Sequence, residues 1–354
     1  MATQLFSKFK RPDAPRRGIT TERDLDIIEA VLRYRFSPTS ELVRLVGGNE
    51  DVTQRRLRFL WESGHLNRFA FPGIRTHSEF IYYLDKPQAL ELLVEHGRLQ
   101  EVHPQMSEEL RLNREAGYAD AAVAGQHMKL GFLRHALMIS RLHFMLELSC
   151  RNSQDQIQLA TFRQGSELRG HKAALPEIQC RRLHGSNDYV WEEQDRTQNF
   201  PVEPDALFSL RFTDRAADRQ LVHFCYEADR GSMPLADMLK KLRAYYHFIK
   251  RMQKHRETFG VHPIRAVLIE TTNESRARKL MELVGQPIVI GSSKRSALFR
   301  FIISPLFSPA NSTVMEKRIS SYLLRPEMVF DPLWAMPDMT LHALSDSENS
   351  LGQS

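Results

Sequence analysis

The sequence predicts a mixed α/β protein (α+β overall) in two domains, and three observations carry that reading. The chain has 354 residues, more than one hydrophobic core usually serves. Residues 19–97 show three short segments with helical apolar spacing, followed by an alternating strand. From residue 127 onward a long apolar helix leads into strand-like runs separated by turns and further helices.

Composition narrows the class. Apolar residues make up 42% of the chain, as in soluble globular proteins, and no apolar run is long enough to span a membrane. Residues 1–8 lack the apolar core of a signal peptide. Cys150, Cys180 and Cys225 are odd in number and lack metal-ligand spacing, which fits free thiols in a reducing cytoplasm. The formal charge of +6 and a pI near 9.2 permit a nucleic-acid partner without requiring one.

Residues 1–18 carry Lys8, Lys10, Arg11, Arg16 and Arg17 with two prolines, and read as a flexible basic arm. Thr20 or Thr21 caps a first helix, with Glu22 and Asp24 in its first turn and Leu25, Ile28, Val31 and Leu32 inward. That helix is expected to end near Phe36, before Pro38. A short helix from Ser40 to Val46 stops at Gly47-Gly48. A third runs from about Val52 to Ser63, with Leu57, Leu60 and Trp61 inward. A hairpin then turns around Pro72-Gly73 into the strand Phe80–Leu84, and a fourth helix ends at Gly97.

Three helices and a hairpin in this order are those of a winged helix-turn-helix, spanning 19–97. A helix fits the major groove, Gln and Arg side chains read base edges, and a wing lies along the backbone. The expected reading surface is Thr53, Gln54, Arg55, Arg56 and Arg58, with Arg68 and Arg75 on the wing. The competing reading is a winged helix used only for protein contacts.

Residues 98–126 look like a connector, broken by Pro104 in the first half and Ala-rich in the second. The second domain, 127–304, opens with a long helix from His127 to Cys150, in which His135 reads as a packed core histidine. A strand at Ile157–Phe162 follows, and 163–203 read as a long polar insertion. Residues 205–212 and Val222–Ala228 pair as a hairpin. Arg230-Gly231 turns, Ser232 is the expected N-cap, and Pro234 sits in the first turn of a helix with Leu235, Met238, Leu239, Leu242, Tyr246 and Ile249 on one stripe. Ile264–Glu270 is a buried strand, Ser275–Val284 a helix, and Pro287–Ile290 and Ala297–Ile303 candidate strands. Residues 305–354 thin into an extension with a disordered acidic, Ser-rich tail.

The hairpin organises the second domain. Folding 212 against 221 brings Asp205 level with Glu227 and Asp229, so three carboxylates gather at one end of one ribbon. Clustered carboxylates repel unless they bind a cation, meet Arg or Lys, or face water. The cluster therefore reads either as a salt-bridged sheet end or as a metal or catalytic site.

The order from 127 onward resembles the PD-(D/E)xK nuclease-like core, the restriction-endonuclease-like α/β fold. Pro204-Asp205 stands at the PD position and Glu227 at the second acid. The resemblance implies Mg²⁺ held by Asp205 and Glu227, with a lysine orienting the attacking water. Asp229 occupies the usual lysine position, and Lys240 or Lys241 on the next helix is the candidate substitute. Lys241 flanks the apolar stripe and so can reach the sheet end.

A second resemblance covers about residues 20–290. It rests on Thr20-Thr21-Glu22-Arg23-Asp24, Gln54-Arg55-Arg56-Leu57, His135-Ala136-Leu137, Pro204-Asp205-Ala206, Glu227-Ala228-Asp229-Arg230-Gly231 and Lys241-Leu242-Arg243-Ala244-Tyr245. Together these look like the replication-relaxation family. That resemblance implies a protein that binds double-stranded DNA in replication or mobilisation of a plasmid or other mobile element. Its partners would be replication or mobilisation proteins, with a homodimer allowed and no membrane. The nuclease-like domain is expected to be a binding or assembly platform with no firm cofactor. The alternatives are a Mg²⁺-dependent nuclease using Asp205, Glu227, Asp229 and Lys241, and a winged-helix transcriptional regulator.

Overall fold

The computed structural model describes residues 11–70, 79–117, 127–182, 189–291, 297–303, 307 and 325–346. The chain divides into two compact units, Met1–Phe144 with Pro309–Arg325, and Met145–Ser308 with Pro326–Ser354.

The first unit opens with α1 (Glu22–Tyr34), capped at Thr21. The Thr21 N–H and hydroxyl both donate to Asp24 Oδ2, at 2.7 and 2.9 Å, so the third helical residue closes the first turn. The chain then forms a short strand, β1 (Phe36–Pro38). The helix therefore ends earlier than its apolar spacing suggested, because Phe36 and Ser37 are buried as strand residues. Pro38 is accommodated because β1 lies at the edge of its sheet, where a missing N–H costs no ladder bond.

Two helices follow, α2 (Thr39–Val46) and α3 (Glu50–Glu62), the latter capped by the Asn49 side chain accepting from the Val52 N–H. Strands β2 (Asn67–Ala70) and β3 (Phe80–Tyr83) pair antiparallel, and β1 adds to β3, giving the order β1-β3-β2. The turn expected at Pro72-Gly73 lies outside the described residues. Next come α4 (Gln88–Glu95) and α5 (Pro104–Gly117). Pro104, read from sequence as a breaker, instead starts α5, where a fixed φ is favourable and no N–H is missed. Asn113 on α5 donates to the Leu84 carbonyl at 3.2 Å and Leu110 joins the core, so the first half of the connector is packed structure. The core holds Leu25, Ile28, Leu42, Leu57, Leu60 and Leu90.

α6 (His127–Asn152) contributes residues up to Phe144 to this unit. Its Leu133, Ala136 and Leu137 pack with Phe36, Phe69, Ile81 and Tyr83. His135 is half-buried. His143, further along α6, is buried, its ring lies 4.4 Å from that of Tyr34, and burial pulls its pKa down to about 3.

The second unit is a seven-stranded mixed sheet. β4 (Ile157–Gln164) is followed by a two-stranded ribbon of β5 (Lys172–Arg182) and β6 (Tyr189–Pro201). The polar stretch 163–203 is thus mostly regular structure, with alternation masked by charged residues on its outer face. Arg243, 1% exposed, donates to the Pro176 carbonyl at 2.9 Å and pairs with Glu193, tying the ribbon to the body of the unit.

β7 (Ala206–Phe212) and β8 (Leu221–Ala228) form the expected hairpin, with Arg211 rather than Phe212 opposite Leu221. α7 (Leu235–Tyr246) follows, with Pro234 at the N-cap instead of Ser232. The short α8 (His255–Phe259) precedes β9 (Ile264–Glu270), which runs parallel to β8 as a crossover through a helix requires. α9 (Glu274–Val284) leads to α10 (Pro287–Ile290), a helical turn where a strand was expected; it packs Val289 and Ile290 against the helices. β10 (Phe299–Ile302) is parallel to β9, and β11 (Trp334–Ala335) and β12 (Leu341–His342) complete the order β12-β11-β10-β9-β8-β7-β4. The segment read as a loose extension therefore supplies two strands and the buried Trp334. The acidic tail from 347 lies outside the described residues.

Within the first unit, Asp24 is fully buried, closes the α1 cap and pairs with Arg56 of α3. Asp24→Ala is expected to lower stability by about 3–5 kcal/mol, since it strands a partly buried guanidinium. Urea denaturation of the two proteins measures the difference. A change below about 1 kcal/mol, the range of an exposed ion pair, would mean that the Asp24–Arg56 pair does not hold α1 to α3.

Candidate functional site

The hairpin register sets Ala206 opposite Tyr226, so Asp205 and Glu227 lie just beyond that pair at one end of the ribbon. Asp205 is held by its own backbone, N–H to the Tyr226 carbonyl at 3.0 Å, and its Oδ2 accepts from the Ala228 N–H at 2.8 Å. Glu227 is buried and its two oxygens are taken from one helix: Oε2 by the Lys241 ammonium and Oε1 by the Tyr245 hydroxyl. Lys241 and Tyr245 are four residues apart on α7, so they share a helix face.

The electrostatics follow from burial. Removal from water drives the Glu227 carboxyl up to about 7, and neighbouring Asp205 adds to the rise while Lys241 opposes it. Burial works against the charged Lys241 ammonium, but Glu227 and Asp205 outweigh it and raise the lysine pKa. The Lys241 ammonium thus offsets part of the cost of burying the Glu227 carboxyl.

Asp229 takes a separate path. β8 ends at Ala228, and the Asp229 N–H donates to the Glu270 carbonyl at 2.8 Å. Its carboxylate receives Arg276 through Nε at 2.9 Å and Nη2 at 3.3 Å, the Thr271 hydroxyl at 2.8 Å and the Gly231 N–H at 3.0 Å. Asp229 is therefore fully engaged with the start of α9 and the turn after β8. The Lys241 ammonium reaches Glu227, while Lys240 pairs with Asp237 at the surface.

Hard carboxylate oxygens are the ligands Mg²⁺ takes. In this site both oxygens of Glu227 and both of Asp229 already accept hydrogen bonds, those of Glu227 from Lys241 and Tyr245. Among the described residues no group of three or more His, Cys, Asp or Glu side chains is placed to hold a metal ion.

In the first unit the sequence-predicted DNA contacts separate into two kinds. Gln54, Arg55 and Arg58 are exposed on α3. Gln54 donates to Glu50 at 2.9 Å, the Arg55 Nε reaches the Asp51 carbonyl at 3.3 Å, and Arg58 pairs with Glu62 at 2.7 Å. Thr53 is buried, its hydroxyl receiving Arg23 at 2.8 Å, so it is not on the exposed face. Arg56 is bound to Asp24, with its Cζ 4.3 Å from the Phe59 ring centroid. Arg68 is stacked between Trp61 and Phe80, at 3.7 and 4.0 Å from the ring centroids. Arg75 lies outside the described residues. From the basic arm, Arg11 donates to the Leu66 carbonyl at 2.6 Å and Arg16 pairs with Glu62 at 2.8 Å.

Sequence reasoning missed Tyr245, Arg276 and Thr271. The four-residue spacing of Tyr245 from Lys241 is a usable signal for the first of them. Arg276 lies 47 residues from its partner, and no local pattern joins them.

The class defined by these elements is a two-unit mixed α/β protein with a large mixed sheet. The family model described as Replication-relaxation matches residues 30–263, more than half of the chain, spanning α3, β7, β8 and α7. The protein belongs to the replication-relaxation family, whose description points to a role in replication or relaxation. Neither the curated proteins nor the solved structures offer a match. No described helix is long and apolar enough to cross a membrane.

The acid pair makes a pH-dependent contribution with a definite sign. Folded Glu227 holds its proton more tightly than the unfolded chain, whose carboxyl titrates near 4.5. Its contribution is therefore complete below 4.5 and lost as pH rises through about 7. Glu227→Gln, which cannot ionise, is expected to flatten the stability–pH curve across that window. Denaturant midpoints across the range read this out, and parallel curves for the two proteins would refute it.

Proposed function

We infer that this protein binds double-stranded DNA, with α3 as the helix offered to the major groove and the β2–β3 hairpin as the wing. The observation that carries the reading is the exposed α3 face of Gln54, Arg55 and Arg58, beside a three-stranded sheet of order β1-β3-β2. Bidentate Arg and Gln side chains are the common readers of base edges. Together with family membership, this supports action in replication or mobilisation of a plasmid or other mobile element, with replication or mobilisation proteins as partners.

The second unit is read as nuclease-like. The succession α6, β4, β7, β8, α7, β9, with an antiparallel meander and one parallel crossover, supports that fold. The engaged oxygens of Glu227 and Asp229 support a binding or assembly platform over a cutting enzyme. One observation favours the rival reading: Lys241 meets Glu227 at the ribbon end that also carries Asp205, the three residue types an active site of that kind uses. Incubating supercoiled plasmid with the protein in Mg²⁺, in Mn²⁺ and in chelator separates the two. Intact plasmid under all three conditions is expected; metal-dependent nicking abolished by Glu227→Ala would make the protein a nuclease.

Arg55→Ala combined with Arg58→Ala tests the α3 surface, because both side chains are exposed and outside the core. The double variant is expected to weaken duplex binding and to reduce the slope of log affinity against log salt by about two units, roughly 0.9 for each lost phosphate contact. An unchanged affinity and slope would move DNA binding off α3.

A further inference from the structure

Three arginines of the second unit converge on residues 343–346. Arg215 follows β7, Arg265 stands at the start of β9, and Arg300 lies on β10. All three reach one short segment near the end of the described chain. Arg300 Nη1 donates to the Ala343 carbonyl at 3.2 Å, Arg265 Nη2 to the Asp346 carbonyl at 3.1 Å, and Arg215 Nη2 to the Ser345 carbonyl. The Arg215 guanidinium also lies over the Phe212 ring, 3.7 Å from its centroid.

These acceptors are neutral carbonyls. The carboxylate close to both Arg215 and Arg300 is that of Asp346. Its Oδ2 is occupied by His342 Nδ1 at 2.9 Å and the Ala343 N–H at 3.1 Å. Asp214 is near Arg215 and is exposed. Arg300 is 1% exposed, and its Nε and Nη2 are buried with no hydrogen-bond partner among the described residues. Those two nitrogens form the guanidinium edge that binds carboxylate or phosphate bidentately. On the adjoining strand the Trp334 indole N–H is likewise buried without a described partner. A buried charge with an unused donor edge is costly unless an anion meets it.

We propose that Arg215, Arg265 and Arg300 form a phosphate-binding site, with Ala343–Asp346 lying across it as a displaceable strap whose carbonyls stand in for phosphate oxygens. The site is separate from the α3 surface and does not depend on it. Phosphate can come from a nucleic-acid backbone or from a free phosphate or phosphorylated small molecule; the two share the chemistry the arginines recognise.

Thermal unfolding of the full chain in inorganic phosphate, against chloride of equal ionic strength, tests the site. Phosphate is expected to raise the midpoint by roughly 2–4 °C and to speed amide exchange in 343–346 as the strap is released. Arg300→Met preserves the side-chain stem without the charge and is expected to lose both effects. Arg215→Gln, on a half-buried side chain, is expected to weaken them and carries the test if Arg300→Met does not fold. No response in the parent, or an equal response in parent and variants, overturns the proposal. Short duplex DNA added to the Arg55→Ala plus Arg58→Ala protein identifies the source. Binding that Arg300→Met removes assigns nucleic-acid phosphate; a response confined to inorganic phosphate assigns a small phosphate ligand.

Discussion

Glu227 is a carboxylate buried at the end of a strand, and the Lys241 ammonium on the next helix makes that burial tolerable. An isolated ionised carboxylate in that position would cost far more than any single apolar contact returns. The pair therefore fixes how α7 lies on the sheet: the face carrying Lys241 and Tyr245 must turn toward the strand end, which directs Leu239 and Leu242 into the core. Asp229 imposes a similar demand on α9 through Arg276. Two carboxylates two residues apart thus anchor two different helices to one sheet end.

The same constraint divides the basic residues of the first unit. Arg56 and Arg141 are bound to buried acids, Asp24 and Glu41, and serve the packing of the helices. Arg68 is held between aromatic rings. Arg55 and Arg58 keep their charge at the surface, where a polyanion can reach it. A count of arginines on α3 overstates its binding surface, since part of that charge is consumed inside the protein.

Arg300 breaks the pattern. Its charge is as buried as that of Arg243, yet Arg243 meets Glu193 while Arg300 meets a neutral carbonyl. Buried donors left without acceptors mark a site either under strain or built for a ligand. The convergence of Arg215 and Arg265 on the same short segment distinguishes the second case.

The mixed α/β class, the three N-terminal helices, the β7–β8 hairpin and the β8–α7–β9 crossover were legible from residue order, because apolar periodicity and turn residues act locally. That Asp205 and Glu227 share one end of the ribbon followed from the hairpin, though its register differs by one residue, and the reach of Lys241 followed from its position on the helix wheel. Tertiary structure alone decided the fates of Thr53, Arg56 and Asp229, whose side chains are claimed by Arg23, Asp24 and Arg276 from distant parts of the chain. It also decided that Pro104 starts a helix, that 163–203 contain a ribbon, and that Trp334 and Leu341 belong to sheet strands. A local pattern records which face a residue prefers. Which partner neutralises a buried charge depends on contacts between residues far apart in the chain, and those exist only once the core has formed.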